Sequence, residues 1–168
     1  MKMNQSAAER RLSDLGLGDV PIIAIRPTPA MVPADWFARW RKLTREFAMS
    51  LTDSIEELAF LNLPRDDFMK LIMGNGVPEN LSIRFRVPLV WGGKLELDNM
   101  FMCRTFPHAN NMDRFITEQS GADEIWLPNP AKKVYLPANS AAGGDGGNAT
   151  EDRLSQIAAQ IAASRGME

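Results

Sequence analysis

His108 is the only imidazole in this chain of 168 residues, and carboxylates and guanidinium groups surround it in the sequence. Asp98, His108 and Asp113 could together give a divalent ion three ligands. A hydrolytic metal site needs about that many protein ligands beside an open water position. Such a set forms only if the intervening loops fold together. Arg84, Arg86 and Arg104 offer a different chemistry, because cationic donors can hold phosphate without a catalytic base. Each group also has a plainer role. Asp98-Asn99 makes a turn, since both residue types bond their own backbone well. His108 belongs to the first turn of a helix, and arginines on strands are commonly solvated or salt-bridged. Cys103 is followed by Arg104, and a Cys-His nucleophile would need His108 as its base.

The elements that must position these groups can be read from periodicity. From Leu81 to Leu89 apolar and polar residues alternate, with Leu81, Ile83, Phe85 and Val87 against Ser82, Arg84 and Arg86. That period of two predicts a half-buried strand with Arg84 and Arg86 on one face and Phe85 on the other. Trp91-Gly92-Gly93 makes a turn, Met100 to Arg104 forms the return strand, and Pro107 opens a helix running to about Gln119.

Arg84-Phe85-Arg86-Val87-Pro88-Leu89, then Gly92-Gly93, then Asp98-Asn99, then Pro107 to Ile116, resemble an HNH (ββα-metal) nuclease domain. The likeness is to those at the toxic ends of bacterial secreted effectors, and it covers about residues 60–136. In that family the strand carries a histidine metal ligand followed by a histidine general base. The corresponding positions here are Arg84 and Phe85. Arginine stays protonated and cannot act as a neutral imidazole ligand, and phenylalanine has no acid-base chemistry. The family's base-orienting asparagine corresponds to Asn99. Its helical ligand pair corresponds to Ala109 and Asp113, or to His108 and Met112 if shifted by one residue. The resemblance thus implies an HNH-like domain without catalysis or cofactor, acting as a nucleic-acid- or protein-binding module derived from a toxin or effector. Arg84 would place a fixed cation where the ion sat and pair with Asp113. Two alternatives stay open. One is an active metal-dependent DNA endonuclease toxin with one divalent ion and a rearranged site using His108, Asn99 and Asp113. The other is a structural or secretion-associated adaptor.

The whole chain reads as α+β: a helical N-terminal half, a hairpin-helix unit at 81–120, a Gly-rich linker and a C-terminal helix. Residues 1–33 are expected as an irregular lead segment, with a short helix from Ser6 to Leu17, an edge strand at Ile22 to Ile25, and Pro27, Pro29 and Pro33 as breakers. Residues 34–137 form the single domain. Asp35 to Ser50 is a helix whose Trp36, Trp40, Leu43 and Phe47 make a core-facing stripe, with Arg39, Arg41, Lys42 and Arg45 largely off it. Thr52 to Leu61 follows, with Asp53 and Glu56 at capping-box spacing. Pro64 opens a third helix that Gly74 stops. Glu124 to Leu127 and Lys133 to Leu136 are short strands. Residues 138–149 are a flexible linker. In 150–168, Leu154, Ile157 and Ile161 form a narrow apolar stripe. It is expected to dock on the domain, on a protein partner, or on another copy as a homo-oligomer.

The net charge of −2 argues against strong nonspecific nucleic-acid binding, which phosphate neutralisation drives. One cysteine permits no intramolecular disulfide. No signal core follows Met1, and no apolar run nears the ~18 residues of a membrane span. The expectation is a cytoplasmic protein without membrane contact. Delivery to another cell by a secretion system that needs no N-terminal signal is the alternative.

Overall fold

The computed structural model describes residues 3–137. The expected linker at 138–149, the C-terminal helix, and Leu154, Ile157 and Ile161 lie outside them. Within them the chain mixes helices and strands, as an α+β fold requires. Helix α1 (Gln5–Asp14) leads to strand β1 (Ile22–Ile25). Helices α2 (Trp36–Ser50), α3 (Ile55–Ala59) and α4 (Arg65–Ile72) follow. Then come β2 (Leu81–Phe85), β3 (Met100–Arg104), α5 (Asn110–Thr117) and β4 (Ile125–Pro128).

Strands β2 and β3 pair antiparallel, with Leu81 opposite Arg104 and Phe85 opposite Met100. The apolar run Met100-Phe101-Met102-Cys103 is buried along its length, and its side chains sort alternately to two cores. Met100 and Met102 enter the first, with Phe47, Leu51, Leu58 and Phe68 of the α2–α4 layer. Phe101 and Cys103 enter the second, with Leu12 of α1 and Met112 and Phe115 of α5. A strand buried on both faces needs no polar alternation. The other edge of β3 is closed by the segment around Val134. Met102 donates its N–H to Lys133 O (2.7 Å), and Tyr135 donates to Met102 O (2.8 Å). The strand expected over Lys133 to Leu136 is thus a single parallel bridge between Val134 and Met102.

Within the lead segment, residues 3–33 carry a helix and a strand that pack on the rest of the described chain. Asn4 caps α1 by accepting from Ala7 N (2.8 Å). Gly16, at φ +74, ends the helix, with Leu17 N bonded back to Leu12 O. Ala8, Leu12, Leu15 and Leu17 are buried in the second core. Strand β1 pairs antiparallel with β4, Ile22 opposite Pro128 and Ile25 opposite Ile125. A boundary at residue 33 therefore divides one packed unit, because the apolar stripe of α1 is buried against α5 instead of facing water.

Several element ends also differ. Strand β2 stops at Phe85, short of Leu89, because Val87 bonds the side chain of Asn99 and Pro88 starts a turn. Asp53 and Glu56 form no capping box. A 3-10 turn (Leu51–Ser54) precedes α3, and no side chain caps that helix. Pro64 sits at the N-cap of α4, one residue before its start. The helix expected from Pro107 is helical from that residue on: Thr105–Ala109 is a wider helical turn broken only at the extended Phe106, and it runs directly into α5.

Leu12 is 2% exposed in the second core. Leu12→Ala should lower unfolding stability by about 2–5 kcal/mol, read as a shift of a single cooperative urea transition. An unchanged midpoint would return α1 to the status of an appendage.

Candidate functional site

The 86–99 connection between β2 and β3 is a built loop. Asn99 supplies its clamp. Its Oδ1 accepts from Val87 N (2.9 Å), while Nδ2 donates to Val87 O and Lys94 O (both 2.9 Å). Across the base of the loop Arg86 N donates to Asn99 O (2.8 Å). The paired glycines have distinct reasons. Gly92 takes φ +89, a region that favours glycine. Gly93 donates to Pro88 O (3.0 Å), and a Cβ there would meet Val87 O at 1.8 Å. Only a residue without a side chain lets the loop close on itself at that point.

Arg84 crosses from β2 to α5. Its Nη1 donates to Asp113 Oδ2 (3.0 Å), and its Nη2 donates to Oδ1 of the same carboxylate. The pair is bidentate and partly exposed, with side-chain exposures of 30% and 51%. At that exposure solvent screens the attraction, so its contribution is about 1 kcal/mol or less. Arg86 is held from several sides. Its Nε donates to Asp98 O (3.1 Å), and Nη1 donates to Pro130 O and Asn129 Oδ1 (3.4 Å). Nη2 donates to Lys132 O (3.3 Å), and the guanidinium lies 5.6 Å from the centre of the Phe101 ring. Burial pushes its pKa down, and Asp98 pushes it up. Arg104 donates to Phe60 O (3.5 Å).

Each of the three arginines expected to contact nucleic acid thus has a partner within the protein. Arg84 is spent on Asp113, Arg86 on the loop and the 129–132 segment, and Arg104 on the α3–α4 connection. Phosphate would have to displace the bonds that hold the hairpin in place. Among the described residues no three of His, Cys, Asp and Glu gather where an ion could sit. Asp98 is exposed on the loop, Asp113 faces Arg84, and His108 is buried in the interior.

His108 is 6% exposed, and its ring stands edge-on to Tyr135 at 5.6 Å. Its Nδ1 and the Tyr135 hydroxyl have no hydrogen-bond partner among the described residues. Burial lowers the His108 pKa, and Arg104 lowers it further. Cys103 is fully buried, and burial raises its thiol pKa to about 12, which removes it as a nucleophile. Neither buried group reaches the loop where Asn99 sits. Asn99 spends its amide on the backbone, and so His108, Asn99 and Asp113 share no catalytic geometry.

The face of β2 opposite Arg84 meets α2. Phe85 packs against Trp40 with ring centres 4.7 Å apart. Together with Val32, Trp36, Leu89, Val90 and part of Arg84 they line an open, mainly apolar groove of about 580 Å3. Trp36 and Val90 are exposed to 41% and 53%. The sequence stripe on α2 placed Trp36 against the core, but the core ends near Trp40.

Two outcomes follow. Gly93→Ala should cost about 2 kcal/mol or more, since the clash is with backbone that cannot rotate away. Urea unfolding measures it, and a loss under about 0.5 kcal/mol would mean that the loop relaxes freely. For His108 the folded pKa lies below the ordinary 6.5. As pH falls through about 6.5 the unfolded chain therefore binds the proton first, and stability declines by up to ~1.4 kcal/mol per pH unit until the folded pKa is passed. Above about pH 7 both states hold it neutral, and it adds no pH dependence. His108→Phe should flatten that part of the stability-pH curve, and an unaltered slope would exclude the histidine as its source.

The chain matches no family model, no curated protein and no solved structure.

Proposed function

We propose that the chain is an HNH-like domain that does not hydrolyse and that binds a protein partner. The observation carrying this reading is the pairing of Arg84 with Asp113 beside a Phe85 that lines an apolar groove. In the resemblance these three stand at the first metal ligand, the second helical ligand and the general base. The Arg84–Asp113 contact favours the register that aligns Ala109 and Asp113 with the helical pair. The divalent ion that HNH nuclease domains hold does not fit these residues. A guanidinium occupies the ligand position and takes up the one carboxylate within reach, and a phenyl ring replaces the base. No hydrolytic step can be written through them.

A protein is favoured over a nucleic acid as the bound partner for two reasons. The three hairpin arginines are engaged internally, and the net charge is −2. The groove instead presents aromatic and aliphatic side chains. Tryptophan anchors in desolvated pockets carry much of the energy of protein interfaces, and contiguous exposed apolar surface marks such sites. The partner's matching feature is an aliphatic face of a protein segment. Its derivation from a toxin or effector rests on the sequence resemblance. No helix among the described residues is long and apolar enough to cross a membrane.

Purified protein should leave supercoiled plasmid intact with Mg²⁺, Mn²⁺, Ni²⁺ or Zn²⁺, and a chelator should leave its Tm unchanged. Nicking that disappears in His108→Ala would replace this reading with a rearranged nuclease. Trp36→Asp combined with Val90→Asp should abolish capture of a protein partner without lowering Tm, because both side chains are exposed. Capture that survives the double substitution would move the interface elsewhere.

A further inference from the structure

A second groove runs along α2 away from its tryptophans. Its volume is about 710 Å3, and its walls are Arg41, Lys42 and Arg45 of α2 and the turn at residues 74–77. No carboxylate and no aromatic ring lines it. The turn is fixed by the end of α4. Gly74 takes φ +74 and donates to Leu71 O (3.0 Å), and Asn75 donates to Lys70 O (2.9 Å). That double bond is a Schellman cap, which requires a left-handed residue at Gly74.

Both glycines of the turn serve cationic side chains. A Cβ at Gly74 would lie 2.6 Å from Arg45 Cγ, and a Cβ at Gly76 would lie 2.6 Å from Lys70 Cε. The missing side chains are what allow the stems of Arg45 and Lys70 to lie against the turn. Four cations from α2 and α4 thus converge on one short loop. Among the described residues none of the four has an ion-pair partner. Arg41 and Arg45 are also one turn apart on α2, a like-charge spacing that costs a few tenths of a kcal/mol in an isolated helix. The chain is acidic overall, so this concentration of charge is local.

We propose that this groove binds a compact oligophosphate, a ligand with two or more contiguous phosphate groups, between the α2 cations and the Gly74–Val77 turn. Arginine and lysine supply charge-assisted donors to phosphate oxygens. Among the described residues the N–H groups of Gly76 and Val77 bond no carbonyl, so they add backbone donors at the turn. The volume is that of a small-ligand pocket, which spans roughly 300–1,000 Å3. A nucleic-acid strand is disfavoured, because single strands are held by aromatic rings under the bases and the lining has none. The site is independent of the apolar groove, and either reading can fail without the other.

The test is calorimetric titration of the full chain with inorganic tripolyphosphate at low salt. Saturable one-to-one binding is expected, with monophosphate much weaker. Arg41→Gln with Arg45→Gln should weaken it about tenfold or more, while Arg65→Gln, whose side chain lies off the groove, should leave it unchanged. All of these side chains are exposed, so far-UV circular dichroism should show folded variants. If the double variant does not fold, Lys42→Gln probes the same groove. Absence of binding, or equal loss in the groove and Arg65 variants, overturns the proposal. So does tighter binding of a single-stranded oligonucleotide than of tripolyphosphate at equal charge.

Discussion

Everything in this fold leans on β3. Its side chains alternate between two cores, and both its edges are hydrogen-bonded, to β2 on one side and to the segment around Val134 on the other. The neighbouring chains obey the same alternation. Ile83 and Phe85 pack on the first core while Arg84 faces α5, and Val134 enters the first core while Tyr135 enters the second. A one-residue slip of β3 would exchange the two sets and place methionines where Phe101 now packs. Register here is therefore set by volume on both faces at once.

The site inherits its form from that arrangement. Because β2 is paired in fixed register with a strand buried on both faces, Arg84 must face α5 and Phe85 must face α2. One becomes a tie between hairpin and helix, and the other becomes part of an apolar wall. The loop joining β2 to β3 is then closed by Asn99, by the bare backbone of Gly93 and by Arg86. Arg86 also reaches residues 129–132, so the loop and the chain after β4 are held by the same guanidinium.

Local patterns were legible where one physical cause dominated. Met100–Arg104 stands where its apolar run placed it, and α2 starts one residue after the sequence indicated. The Arg84–Asp113 pairing was legible through the resemblance, which sets these two residues at positions that share one ion in HNH domains. What stayed hidden depends on tertiary packing. Nothing in residues 1–33 reveals that Leu12 meets Phe115, since the partner lies about a hundred positions away in the sequence. His108 gave no sign of burial, and a set with Asp98 and Asp113 required loop contacts that spacing cannot specify. The charged face of α2 was visible, but its convergence with Lys70 on a glycine turn depends on how α4 ends.

The pairing of β1 with β4 has a consequence for the order in which the molecule can be assembled. Ile22 to Ile25 have no strand to join until residues 125–128 have been made. Likewise Arg11 of α1 finds its carboxylate in Glu118, just past α5. Helix α1 and strand β1 thus leave the ribosome well before their partners and are among the last described segments to find their place. Helices α2 to α4 can gather among themselves, but closing the second core requires the two ends of the described chain to meet. Loop closure over such a span is costly and slow. Synthesis that stalls before α5 would leave the buried faces of α1 and β3 uncovered together.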